Sequence, residues 1–138
     1  MSTEALPWTP PNTHSVQLLP AGKWWDAVRV PRALGEHALR LLGEATGAVI
    51  DDPLDKRLAW LIEPGTADQW DMSWLPTVEL RDTTAYIDVP PLGRTIGPGV
   101  HWRVPITYDR YLTEPTVLYT VLRMATQAAL GPREGGAR

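Results

Sequence analysis

Nearly every apolar run in this chain has the length of a β-strand and is closed by proline, glycine or aspartate, which leaves little room for helix. Val16 to Leu19 ends at Pro20, and Ala21-Gly22 reads as a turn before a second run from Trp24 to Val30. These two runs are expected to pair as a hairpin. Ala48 to Asp51 and Arg57 to Ile62 flank Asp52-Pro53-Leu54-Asp55, whose residue types favour tight turns, and form a second expected hairpin. Thr77 to Leu80 and Thr84 to Val89 form a third around Arg81-Asp82-Thr83. Ala85, Ile87 and Val89 there alternate with Thr84, Tyr86 and Asp88, the period of a half-buried strand. Val100 to Val104 repeats the pattern, with Val100, Trp102 and Val104 opposed to His101 and Arg103.

Only two stretches carry a helical period. From Pro31 to Leu42, Leu34, Ala38, Leu41 and Leu42 fall on one stripe, with Pro31 suited to the first turn and Gly43 to the stop. Thr113 is placed to cap a second helix in which Leu118, Val121, Leu122, Ala125 and Ala129 share a face, and Gly131-Pro132 ends it. The order β-β-α-β-β-β-β-β-α, with mostly hairpin connections, predicts an α+β two-layer sandwich: a mostly antiparallel sheet with two helices packed on one face.

A chain of 138 residues suits one domain, expected over residues 16–130. Pro7, Pro10 and Pro11 make residues 1–15 an expected flexible arm, and residues 131–138 an expected disordered tail. Cysteine is absent, which excludes disulfides, a thiol nucleophile and cysteine-ligated metals. No signal-peptide pattern opens the chain, and no stretch approaches the ~20 apolar residues of a membrane helix. A cytoplasmic location without a membrane partner is therefore expected. The net charge is −3 and the arginines are scattered, which disfavours nucleic acid held by counterion release. The P-loop, Gly-x-Gly-x-x-Gly, Gly-x-Ser-x-Gly and His-Glu-x-x-His signatures are all missing.

Three constellations could carry function. Asp51 and Asp52, with Asp55 nearby, offer the hard oxygen ligands that magnesium takes. Aspartate also favours turns for its own sake, and adjacent strand residues point to opposite faces, which is poor geometry for one metal. His101 and Arg103 share a strand face and together suit a phosphate or carboxylate; they equally suit the polar face of a half-exposed strand. His14 and His37 have no metal-ligand spacing to any partner. The seven tryptophans are too many for one small core. Trp24 and Trp25 must diverge if extended, and Trp70 and Trp74 fall in a loop. These four are candidate interaction residues, as protein anchors or as rings that stack on bases or sugars, unless the loop rings fold back over the sheet.

Thr46-Gly47-Ala48-Val49-Ile50-Asp51-Asp52-Pro53 resembles the strand bearing the first acidic motif of bifunctional primase–polymerase domains. Gly97-Pro98-Gly99-Val100-His101-Trp102-Arg103-Val104-Pro105 resembles their glycine-then-histidine strand. The resemblance spans residues 46–105 and implies Asp51 as a magnesium ligand and His101 as a phosphate contact. The chain departs from that pattern in having adjacent acids rather than acids one residue apart, and in lacking a third acidic motif, so the resemblance implies a degenerate relative. The function expected from the whole is a non-catalytic binding or regulatory module with no cofactor, whose partner is another protein or a second copy of the chain. The alternative is a magnesium-dependent nucleotide- or nucleic-acid-binding enzyme.

Overall fold

The computed structural model describes residues 8, 10, 14–107 and 110–130; the expected tail at 131–138 lies outside them. Seven strands and two longer helices follow in the order β1 (Gln17–Pro20), β2 (Asp26–Pro31), α1 (Arg32–Leu42), β3 (Val49–Asp52), β4 (Arg57–Ile62), β5 (Glu79–Arg81), β6 (Tyr86–Val89), β7 (His101–Val104) and α2 (Pro115–Leu130). The fold is α+β. Five strands form one antiparallel sheet in the order β5-β2-β4-β3-β7, and β1 and β6 form a separate two-stranded ribbon.

Both helices pack on one face of the five-stranded sheet. Val28, Val30, Val49, Leu58, Trp60 and Ile62 point to that face and meet Leu34 and Ala38 of α1 and Leu118, Val121, Leu122 and Ala125 of α2. The alternate residues Ala27, Ile50, Ala59 and Leu61 point the other way and are covered with Ile87, Val89 and Trp102. The central strands are thus buried on both sides, which is why β4 reads as a continuous apolar run after Arg57, while β2 buries Asp26 and Arg29 among its apolar residues.

The β3–β4 hairpin forms as expected, with Asp52 opposite Arg57. The other two expected hairpins do not form. Strand β1 pairs with β6, Gln17 opposite Val89, while β2 takes β4 and β5 as neighbours. The turns at residues 21–25 and 82–85 carry the chain between the layers instead of reversing it within one sheet. Ala21 N–H bonds to Ala85 C=O at 2.9 Å, joining the two crossings. The arm expectation also needs correction where the structure describes it: Trp8 is buried, edge-on to Trp25 at 5.7 Å and against Tyr111 at 5.4 Å.

Helix α1 starts after Pro31 and stops at Gly43, whose φ of 54° lies in the left-handed region that glycine adopts without steric cost. Gly35 weakens the helix locally but lets it sit close to the sheet; a Cβ there would lie 2.8 Å from Leu58 Cδ1. Thr113 does not cap α2. Its hydroxyl accepts from Gly47 N–H at 2.8 Å, and the Glu114 carboxylate accepts from Val117 N–H at 2.8 Å in its place. Leu41 and Ala129, expected on the apolar stripes, are exposed. Among the described residues no helix is long and apolar enough to cross a membrane.

Candidate functional site

Asp51 and His101 meet at the outer end of β3 and β7. In β7, Val104 is paired with Val49 and Trp102 with Ile50, so Arg103 is the extra residue of a bulge. The bulge breaks the simple alternation: His101, Arg103 and Val104 lie on the helix side, and Trp102 on the other. His101 Nε2 is 3.5 Å from Asp51 Oδ2. Its Nδ1 is 2.8 Å from the Gly99 carbonyl, which can only accept, so Nδ1 carries the proton. Arg103 shares the helix side with His101, as expected, and its guanidinium is turned to Glu36 of α1 at 3.0 Å.

The Asp51 carboxylate, 5% exposed, is held by Arg32, the first residue of α1. Nη1 donates to Oδ2 at 2.9 Å and Nη2 to Oδ1, a two-pronged pair that raises the Arg32 pKa above its ordinary value. Asp52 points to the opposite face and accepts from Arg29 Nη2 at 3.4 Å. The two adjacent carboxylates therefore diverge, as strand alternation requires, and each is neutralised by its own arginine. Among the described residues no three His, Asp or Glu side chains gather where they could hold a metal ion. This donor set does not fit magnesium, which needs several free oxygens on one side.

On the far face, Arg29 is 7% exposed and also donates to Asp55 at 2.7 Å and to Glu79 at 2.9 Å. A cavity of about 140 Å³ lies beside it, between the sheet and the β1–β6 ribbon, lined by Leu18, Asp52, Tyr86 and Asp88 among others. Trp25, expected as a candidate interaction residue, is fully buried in this far-face core and presents no exposed ring. Trp24 packs at the edge of the same cluster and lies half-buried under Lys23 Nζ at 4.4 Å.

Trp70 and Trp74 lie against α2. Trp70 faces the Tyr119 ring at 5.0 Å, and Trp74, 43% exposed, lies under the Arg123 guanidinium at 4.1 Å. They do not form two open, side-by-side rings, the arrangement that stacking on bases or sugars needs. Arg123, Tyr119 and Met124 were not legible as site residues, because helical period marks the buried stripe and says nothing of what borders it. One signal was present: Arg123 is the sole charge in α2.

Asp26 is a buried carboxyl outside these clusters. One oxygen accepts from Gly65 N–H at 2.9 Å and Oδ1 has no partner. Burial raises its pKa above 3.8, against the opposing Gly65 bond and with Asp82 and Asp68 adding to the rise. A raised carboxyl favours folding below 3.8 and loses that contribution as pH climbs through its folded value. Asp26→Asn keeps an acceptor for Gly65 and never ionises. It is expected to melt with the wild type near pH 3 and to be more stable by about 1 kcal/mol near pH 7, as read from melting curves across that range.

No protein-family model, no curated protein and no solved structure matches this chain. Of the pattern implied by the primase–polymerase resemblance, the first acid and the histidine are adjacent, and the second acid is on the other side of the sheet.

Proposed function

We propose that this chain is a protein-binding module without catalysis of its own, and that its contact surface is the outer face of α2 together with Trp74. The reading rests on one observation: α2 is 16 residues long, and its outward side presents Thr116, Val117, Thr120, Met124, Gln127 and Ala128 with Arg123 as its single charge. A helix that ends its life in water ordinarily puts charged residues there. Interface centres are instead depleted of charge and enriched in Met, Trp and Arg. Met124 is 53% exposed beside Trp74.

The test is photo-crosslinking in the source cell with benzoylphenylalanine in place of Met124 and, as a control on the ribbon side, in place of Tyr86. A discrete protein adduct is expected from position 124 and none from position 86. Trp74→Ala should lower its yield about fivefold or more, the effect of one interface anchor worth over about 1 kcal/mol. No adduct from position 124, or a yield indifferent to Trp74, removes the reading.

A further inference from the structure

We infer that the occupant of the α2 face is an amphipathic helix of a second protein, and that this helix places a carboxylate on Arg123. The inference rests on the binding reading above and adds the partner's chemistry.

Arg123 is held ready and left unsatisfied. The segment beneath it is tied to α2 at several points. Tyr119 Oη donates to Asp71 C=O at 3.1 Å and accepts from Asp71 N–H at 3.3 Å, and Trp70 packs on the Tyr119 ring. Trp74 then lies beneath the guanidinium, whose central carbon is 4.1 Å from the ring centre and 5.7 Å from that of Tyr119. Contact with two ring faces restricts where the Arg123 head group sits. Among the described residues none accepts a hydrogen bond from it. Asp71, the acid that feels its charge, accepts from Ser73 N–H at 3.0 Å and from the Ser73 hydroxyl instead. A planar, pre-positioned guanidinium with free donors is the geometry that takes a carboxylate in two bonds.

The surface around it sets the shape of the partner. Thr120, Arg123, Met124 and Gln127 line a shallow depression of about 430 Å³. Val117, Thr120, Met124 and Gln127 follow one another at steps of three, four and three residues, the spacing of a helix–helix seam. A helix laid in that groove meets apolar and small polar groups along its length and one cation at its side. One cation on an uncharged face also matches a single carboxylate better than a polyanion, which calls for a row of them.

A second copy is disfavoured by the same charge. Arg123 lies near the middle of α2, so a two-fold pairing of α2 with itself would bring the two guanidinium groups together. Among the described residues of α2 no acid lies beside Arg123 to separate them.

The adduct formed at position 124 supplies the probe. Its partner peptide is sequenced, the partner domain is expressed, and binding to the full chain is measured by calorimetry. The cross-linked residue is expected in an amphipathic helix with Asp or Glu within one turn. Arg123→Gln should weaken binding about 10- to 100-fold, the worth of a charge-assisted pair, and Tyr86→Phe on the ribbon side should leave it unchanged. Arg123→Glu combined with the partner acid changed to Arg should recover most of the loss. Arg123→Gln should melt close to the wild type, since the side chain bonds no described residue. If the variant binds as the wild type does, or if the adduct is a second copy of the chain, the inference fails and the protein-binding reading stands. A nucleic-acid adduct, or none, defeats both.

Discussion

Trp60→Ala is expected to destabilise the fold by about 4 kcal/mol, read as a fall in the denaturant midpoint at unchanged slope. Trp60 is fully buried at the middle of β4, the central strand, with Val28 opposite on one side and Val49 on the other. Its ring fills the space between the sheet and both helices, so truncation opens a cavity where three elements meet and none can collapse without moving another. An ordinary domain holds about 5–15 kcal/mol in all, so this one change removes a large share. Trp60→Phe should cost far less, about 1 to 1.5 kcal/mol. Phenylalanine keeps most of the ring and loses the Nε1 bond to Thr46 Oγ1 at 3.0 Å. Thr46 is half-buried, so water can replace that donor.

The strands themselves were legible because burial writes them into the sequence. Arg57–Ile62 is a strand from end to end as expected, and Tyr86–Val89 keeps its alternation, with Ile87 and Val89 buried and Tyr86 and Asp88 exposed. Their partners were not legible. A short apolar run records which of its faces is covered and leaves open which strand lies beside it. Turn-rich connections at residues 21–25 and 82–85 suit a hairpin and a crossing between layers equally well. The candidate site shows the same division. Alternation separated Asp51 from Asp52 correctly, but nothing in the sequence pointed to Arg32 and Arg29 as the groups that neutralise them. Those contacts join elements far apart in the chain. The bulge at Arg103, which brings Val104 to the helix side, depends on a register that only the assembled sheet fixes.

The two polar clusters differ from Arg123 in how their charges are used. Charged side chains on both sheet faces are used internally, as Arg32 with Asp51, Arg103 with Glu36, and Arg29 with three acids. Arg123 differs from them in resting on aromatic rings, with no acceptor among the described residues. A pair satisfied inside the fold contributes little to recognition, whereas an unsatisfied one gains its full charge-assisted bond on association.

Arg29→Ala is expected to cost about 3 kcal/mol, the usual penalty for removing one member of a buried ionic cluster. The reason lies in what stays behind. Glu79 keeps Arg81 at 3.3 Å and Arg57 at 3.6 Å, and the Asp55 side chain is 61% exposed and rehydrates. Asp52 is the stranded group, since its side chain is only 19% exposed and Arg29 is its ion-pair partner. Arg29→Met fills the volume but leaves that charge, so it should recover only part of the loss; adding Asp52→Asn should bring the chain within about 1 kcal/mol of the wild type. The pH dependence separates this account from lost packing. The Arg29 hydrogen bond holds the Asp55 carboxyl below 3.8. A depressed carboxyl stabilises the fold above 3.8, and that contribution disappears as pH falls through its folded value. Wild-type stability should therefore drop on acidification in this range, and the drop should be smaller in both Arg29 variants. Equal acid sensitivity in wild type and Arg29→Met, measured by urea melts at several pH values, would show that Arg29 acts by filling space alone.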